Sequence, residues 1–110
     1  MKRTVYITQI PSRREGASWV PTVDVAPARE HGELKVILPS GLNYPEAAPA
    51  VRLLKAALVG FDPFLDFVLP VGDPLIMACA TALLGQRFDS FIMLKWDRQQ
   101  HRYFPFEVSL

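Results

Sequence analysis

The sequence predicts an α/β domain with a mixed, partly parallel sheet of about six strands and two packed helices, in the order β-β-β-α-β-α-β-β. Three observations predict this class. Runs rich in β-branched and aromatic residues recur, two segments have helix-like apolar patterns, and one strand, Phe67–Val71, leads directly into a helix that begins at Pro74. With 110 residues, 50% of them hydrophobic, the chain is expected to form a single domain over residues 1–110.

The N-terminal third is predicted to consist of strands. Residues 4–10 and 19–25 are rich in β-branched and aromatic side chains, and the polar connection between them ends at Gly16. We therefore expect these two strands to pair as a hairpin. After a loop at residues 26–31, apolar residues alternate along Glu33–Leu38, which is typical of a strand with one buried face.

The first helix is expected over residues 45–59, where apolar side chains recur at spacings of three and four, and Gly60 ends it. The following strand, Phe67–Val71, is apolar throughout. Loss of alternation is typical of strands in parallel sheets, because both of their faces are covered.

The second helix has clear boundary signals. Gly72 permits a sharp turn, Asp73 is a favoured N-cap, and Pro74 suits the first helical position because its missing N–H has no partner there anyway. Gly85 is expected to end this helix after Leu84.

The last two strands are expected at Phe91–Trp96 and Arg102–Leu110, paired as a hairpin through residues 97–101. Pro105 cannot donate to a strand ladder, so it predicts an edge position for the last strand. Because strands separated by a helix return parallel through right-handed crossovers, the strands on either side of each helix should run in the same direction.

The composition of the second helix predicts a partner. From Pro74 through Gly85 there is no charge, and Thr81 is the one polar side chain. A helix that is apolar all round is normally buried on more than one side, so we expect a homo-oligomer if this chain alone does not cover it. The single cysteine, Cys79, lies in this helix and is interpreted as a small buried hydrophobic residue.

Charge and hydropathy bound the remaining possibilities. The net charge of +1 indicates no general attraction to nucleic acid or to a membrane surface. No apolar run approaches the length of about 18 residues that a membrane helix needs, so a cytoplasmic protein without a membrane partner is expected.

One hypothesis is a small-ligand or nucleotide site, because ligands of open α/β sheets bind outside the carboxyl ends of the parallel strands. The turns expected at that edge supply seven candidate residues: Ser40, Gly41, Gly72, Asp73, Asp97, Arg98 and His101. The alternative is that Asp73 only caps its helix and that the others form turns. An Asp cap repels anions and no phosphate-loop motif is present, so the ligand would be uncharged or cationic.

No catalytic set is predicted. His31 and His101 fall in loops with no cysteine, histidine or carboxylate pair at metal-ligand spacing, and they are interpreted as solvated loop residues. We expect no metal site and no cofactor, although a minimal enzyme at the carboxyl edge stays open as an alternative.

A second hypothesis is binding to nucleic acid or to a protein. Two predicted hairpin tips combine cations with aromatic side chains, which suits phosphate contacts together with base stacking. The candidate residues are Arg13, Arg14, Lys95, Trp96, Arg98, Arg102 and Tyr103. The alternative is two ordinary solvated loops beside core aromatics.

Three segments carry a resemblance: Leu69-Pro70-Val71-Gly72-Asp73-Pro74, Leu94-Lys95-Trp96-Asp97-Arg98 and Tyr103-Phe104-Pro105. Together they resemble the C-terminal half of short α/β proteins encoded by phages and prophages. The resemblance brings no catalytic residues with it. It implies a small non-catalytic accessory protein that binds a protein or nucleic acid, or assembles with itself.

Overall fold

The computed structural model describes residues 2–40 and 44–110. Two α-helices and seven strands are present in this part of the chain, together with a short 3-10 helix at Ala26–Glu30. In chain order the elements are β1 (Thr4–Gln9), β2 (Ser12–Glu15), β3 (Ser18–Pro21), β4 (Glu33–Leu38), α1 (Ala47–Leu58), β5 (Phe67–Leu69), α2 (Pro74–Arg87), β6 (Ser90–Asp97) and β7 (Arg102–Ser109).

Five of the strands form one mixed sheet in the order β4-β1-β5-β6-β7. The first four run parallel, and β7 returns antiparallel beside β6 as the second strand of a hairpin. The predicted α/β class with a mixed, partly parallel sheet is thus confirmed. So is the edge position of Pro105, since β7 pairs with β6 alone among the described strands.

The predicted N-terminal hairpin is wrong. β1 pairs in parallel with β4 on one side and with β5 on the other, so it lies inside the sheet. The hairpin is instead formed by β2 and β3, which make a separate two-stranded sheet. The physical reason lies in burial: every residue of β1 from Val5 to Gln9 is buried, as a strand covered on both faces requires, whereas β2 and β3 are largely exposed.

Side-chain clusters define the two faces of the sheet. On one face, Tyr6 and Val68 pack with Leu58 of α1 and Leu84 of α2, so both helices cover the same side. On the opposite face, Ile7 and its neighbours pack against Val25, Ala28 and Tyr103, which brings the segment around the 3-10 helix over the sheet. The molecule therefore has helices on one side and an irregular segment on the other.

The boundaries of α2 differ from the prediction at one end. The Asp73 carboxylate accepts a hydrogen bond from the Leu75 N–H at 2.9 Å, which confirms the N-cap. Gly85, however, does not end the helix, because it continues to Arg87 and the Phe88 N–H still bonds the Leu84 carbonyl. Gly85 instead leaves space beside α2 for the side chain of Leu110.

α2 is covered on one side only. Ile76, Ala80 and Leu84 are buried, whereas Leu75 is 75% exposed, and Ala78 and Ala82 are also exposed. In the described part of the chain, no helix has the length and apolar character needed to cross a membrane.

Beyond β5 the chain turns toward β1, away from β6. The Val71 N–H donates to Thr8 Oγ1 at 2.9 Å, and the Thr8 hydroxyl donates to the Val71 carbonyl at 2.5 Å. Gly72 then takes a φ of +95° directly against β1, where a Cβ would lie 2.6 Å from the Gln9 carbonyl oxygen. Both the backbone conformation and the close approach require glycine at this position.

Gly72→Ala is expected to destabilise the fold by about 2 kcal/mol or more, because alanine adds a left-handed backbone penalty to a collision with β1. The matched control is Gly16→Ala. Gly16 also has a positive φ, +60°, but no atom lies within 4 Å of its added Cβ, so its cost should be only about 1 kcal/mol. Urea denaturation of both variants measures the difference, and equal losses would contradict the packing argument.

Candidate binding cleft

A cleft of about 960 Å³ opens at the carboxyl ends of β5 and β6. The loop that follows β3 forms one wall, the end of β5 forms the floor, and the β6–β7 hairpin forms the other wall. Most of the lining is apolar or aromatic, and its central members are Val23, Pro27, Leu69, Leu94, Trp96 and Tyr103. A volume of this size is at the upper end of the range for small-molecule sites, and it also suits side chains of a partner.

Few polar groups enter the cleft. They come from Thr22, Asp24, Lys95 and His101. Burial, and secondly the nearby Asp24 carboxylate, raise the pKa of the Tyr103 phenol above its usual value, so this hydroxyl stays protonated at physiological pH. The cleft therefore offers aromatic surface with a neutral phenol, one carboxylate and one ammonium group.

The cleft runs along the edge of β6 and not over one of its faces. Four consecutive residues of this strand, Met93 to Trp96, line it. Because successive side chains of a strand point to opposite faces, one cavity can touch all four only by meeting the strand from its side. Pairing agrees with this position: β5 is in register with β6 as far as Met93, whereas β7 continues along β6 to Asp97.

The gap beside β6 exists because β5 is short. β5 ends at Leu69, and Pro70 has no N–H with which to extend a ladder. Thr8, which is fully buried, holds Val71 against β1 through both of its backbone groups. The chain is thus drawn away from β6 where a longer β5 would have covered it.

Two polar contacts join the cleft wall to β7. The His31 Nε2 lies 2.8 Å from the Tyr103 carbonyl oxygen and donates to it, because a carbonyl can only accept. Arg102 forms a two-pronged ion pair with the Glu30 carboxylate, and that hydrogen bond is the main reason why the pKa of Glu30 lies below its usual value. The segment that bears the wall is therefore tied to the strand opposite it.

This arrangement corrects the interpretation of His31 as a solvated loop residue. Its side chain is only 14% exposed, and its ring lies against Phe67 with centroids 5.4 Å apart. The sequence offered little signal for this contact, because His31 and Tyr103 are 72 positions apart.

Comparison with known proteins identifies the family. The family described as Phage Pam3 gp32-like protein matches residues 3–110. The chain belongs to this family. The resemblance to phage-encoded proteins is thereby confirmed, and it extends over nearly the whole chain of this phage family member. No curated protein and no solved structure matches the sequence.

The seven residues of the predicted ligand site are placed differently from one another. His101 lines the cleft, whereas Ser40 donates to the Ile10 carbonyl and Asp73 caps α2. Asp97 accepts hydrogen bonds from the backbone of the turn that follows it, and Gly72 packs on β1. Arg98 lies in that turn, and Gly41 lies outside the described residues.

The predicted nucleic-acid residues also divide. Lys95, Trp96 and Tyr103 come together in the cleft, which makes them the part of that prediction the fold assembles. The arginines are engaged elsewhere: Arg13 pairs with Glu15 at 3.2 Å, and Arg102 pairs with Glu30. The remaining two are Arg14, which lies over the Trp19 ring, and Arg98, in the β6–β7 turn.

Sequence reasoning missed the loop that follows β3. Thr22, Val23, Asp24 and Pro27 line the cleft, although the first three had been assigned to a strand. The signal available was Pro21 together with Pro27, since two prolines six positions apart oppose a regular strand. Within residues 2–40 and 44–110, no group of three histidine, cysteine or acidic side chains could hold a metal.

Thr8→Val is expected to destabilise the protein by about 1–3 kcal/mol, because it removes the hydroxyl and leaves the Val71 backbone groups without that partner. Thr81→Val is the matched control. The Thr81 hydroxyl bonds only the carbonyl four residues earlier in its own helix, so its loss should cost less than about 1 kcal/mol. Chemical denaturation of both variants tests this, and similar losses would show that the Thr8 contact does not hold the chain end of β5.

Proposed function

We propose that this phage protein is a non-catalytic accessory protein, and that it binds apolar groups of a partner protein in the cleft between β5 and β6. The observation that carries the proposal is the aromatic and apolar lining of a cleft at the carboxyl edge of a largely parallel sheet. This edge is the usual ligand position in open α/β sheets.

The composition of the cleft favours an apolar occupant over a polyanion. Its charged side chains are one aspartate and one lysine, with one histidine beside them. A nucleic-acid groove typically combines stacking aromatics with several free cations, whereas here Arg102 and Arg13 already pair with carboxylates. Trp96 and Tyr103, whose rings lie 4.8 Å apart, supply the kind of aromatic surface that anchors protein contacts.

The test compares the two tryptophans of the chain. Trp96 lines the cleft and is 38% exposed, and Trp19 is 47% exposed but lies on the β2–β3 hairpin. With anilinonaphthalene sulfonate as an apolar probe, we expect Trp96→Ala to weaken binding about tenfold or more, because a central aromatic anchor is lost. Trp19→Ala should leave binding unchanged.

Equal behaviour of the two variants would contradict the proposal, as would a failure of the unaltered protein to bind the probe. A labelled single-stranded oligonucleotide provides the competing measurement. Binding that weakens steeply with salt and requires Lys95 and Arg98 would favour a nucleic-acid partner instead.

Self-assembly is a second candidate function, and the outer side of α2 favours it. Leu75, Ala78 and Ala82 are exposed along one side of this helix, and Leu53 and Val59 of the neighbouring helix segment are exposed as well. Exposed apolar surface on neighbouring helices is typical of contacts between subunits. A second copy of this chain is the occupant we propose for this surface.

Leu75→Glu is expected to shift the protein from an oligomer toward a monomer in sedimentation velocity, because a charge would be buried without a partner at the contact. Phe64→Glu is the control, since Phe64 is 86% exposed but lies in the loop after α1. A monomer in the unaltered protein at high concentration, or equal shifts in both variants, would rule out assembly through α2.

A further inference from the structure

The unpaired edge of β6 is the feature from which a more specific inference follows. In the described part of the chain, β6 beyond Met93 has β7 on one side and the cleft on the other. A strand edge presents backbone N–H and C=O groups at regular intervals, and such an edge is a template for another strand. The cleft thus contains main-chain hydrogen-bonding groups as well as apolar side chains.

We infer that the occupant of the cleft is an extended segment of a partner protein, which adds to the sheet as a short strand beside β6. The inference rests on the proposed function and specifies its ligand. The segment occupies the space that a longer β5 would have filled. Residues 94–97 offer room for three to five residues of added strand, since four residues of strand extend roughly 13 Å.

The two sides of the cleft predict an alternating sequence in that segment. Strand pairing places Leu94, Trp96 and Tyr103 on one face of the sheet and Lys95 and Phe106 on the other. Side chains of the added strand that point to the first face meet apolar and aromatic surface. Those that point to the second face meet the Lys95 ammonium group.

Charge complementarity favours an acidic residue at the second position. Lys95 is exposed and lies 5.8 Å from the centroid of the Phe106 ring, and it belongs to none of the ion pairs formed by the described residues. A carboxylate on the added strand would provide Lys95 with an ion pair next to that ring. The partner segment is thus expected to alternate apolar or aromatic residues with at least one acidic residue.

The first experiment selects binders from a random heptapeptide library on the immobilised full-length protein. Alternation of apolar and acidic residues in the enriched sequences is the expected result. Lys95→Glu should remove the acidic preference and replace it with lysine or arginine. Enrichment that is absent, or that is unchanged by Lys95→Glu, would overturn the inference.

The second experiment tests pairing through the backbone. The most enriched peptide is synthesised with blocked ends and in two N-methylated forms, each methylated at one of the two alternating sets of amides. Because only one set of amides in a strand faces its neighbour, one form should lose about tenfold or more in affinity and the other should bind nearly as the parent does. Equal affinities for both forms would overturn strand addition.

Failure of this inference can be told apart from failure of the proposed function. If anilinonaphthalene sulfonate binds in a manner that depends on Trp96 while no peptide binds, the cleft takes small apolar ligands and strand addition is wrong. If neither the dye nor any peptide binds, the proposed function itself fails. An oligonucleotide that displaces the selected peptide and needs Lys95 would assign the edge to nucleic acid.

Discussion

The contact between Thr8 and Val71 is the constraint on which the architecture of the cleft depends. A fully buried hydroxyl satisfies both backbone groups of Val71, so the chain leaving β5 follows β1 and does not continue beside β6. Buried backbone groups without partners are costly, which makes a single side chain able to decide the path of a chain segment. Gly72 makes the same path possible sterically, because a side chain there would collide with Gln9.

The short β5 has consequences on both sides of the sheet. Its three residues are enough to bind β1 and β6 into one parallel layer, but too few to cover the distal half of β6. Natural proteins normally protect such edges. Here the loop after β3 lies across the opening, and Glu30 and His31 fasten the segment that follows it to β7. The result is an edge that is sheltered from general contact and still accessible through a cleft.

The membership of a phage protein family and the absence of a described metal cluster are compatible with a protein that works by contact. The structure separates two surfaces that such a protein could use. The cleft is on the carboxyl edge of the sheet, whereas the exposed side of α2 is on the outer surface of the helical layer. Because the surfaces are distinct, assembly through α2 would leave the cleft free for a partner.

The sequence by itself determined the elements whose causes are local. The Asp73 cap with Pro74, the apolar strand before them and the hairpin ending at Pro105 are each written in a few neighbouring residues, and all of them are present in the structure. The carboxyl edge was also identified as the place to look for a site, because that rule depends only on strand direction.

Only the tertiary structure decided which strands are neighbours and where the sheet opens. β1 inserted between β4 and β5, although residues 4–10 and 19–25 had the composition of a hairpin, because burial on both faces stabilises an apolar strand more than an exposed hairpin would. The contacts of Thr8 with Val71 and of His31 with Tyr103 join positions more than 60 residues apart. Contacts at such separations leave no periodic pattern in the sequence, so the cleft they create could be found only in the folded chain.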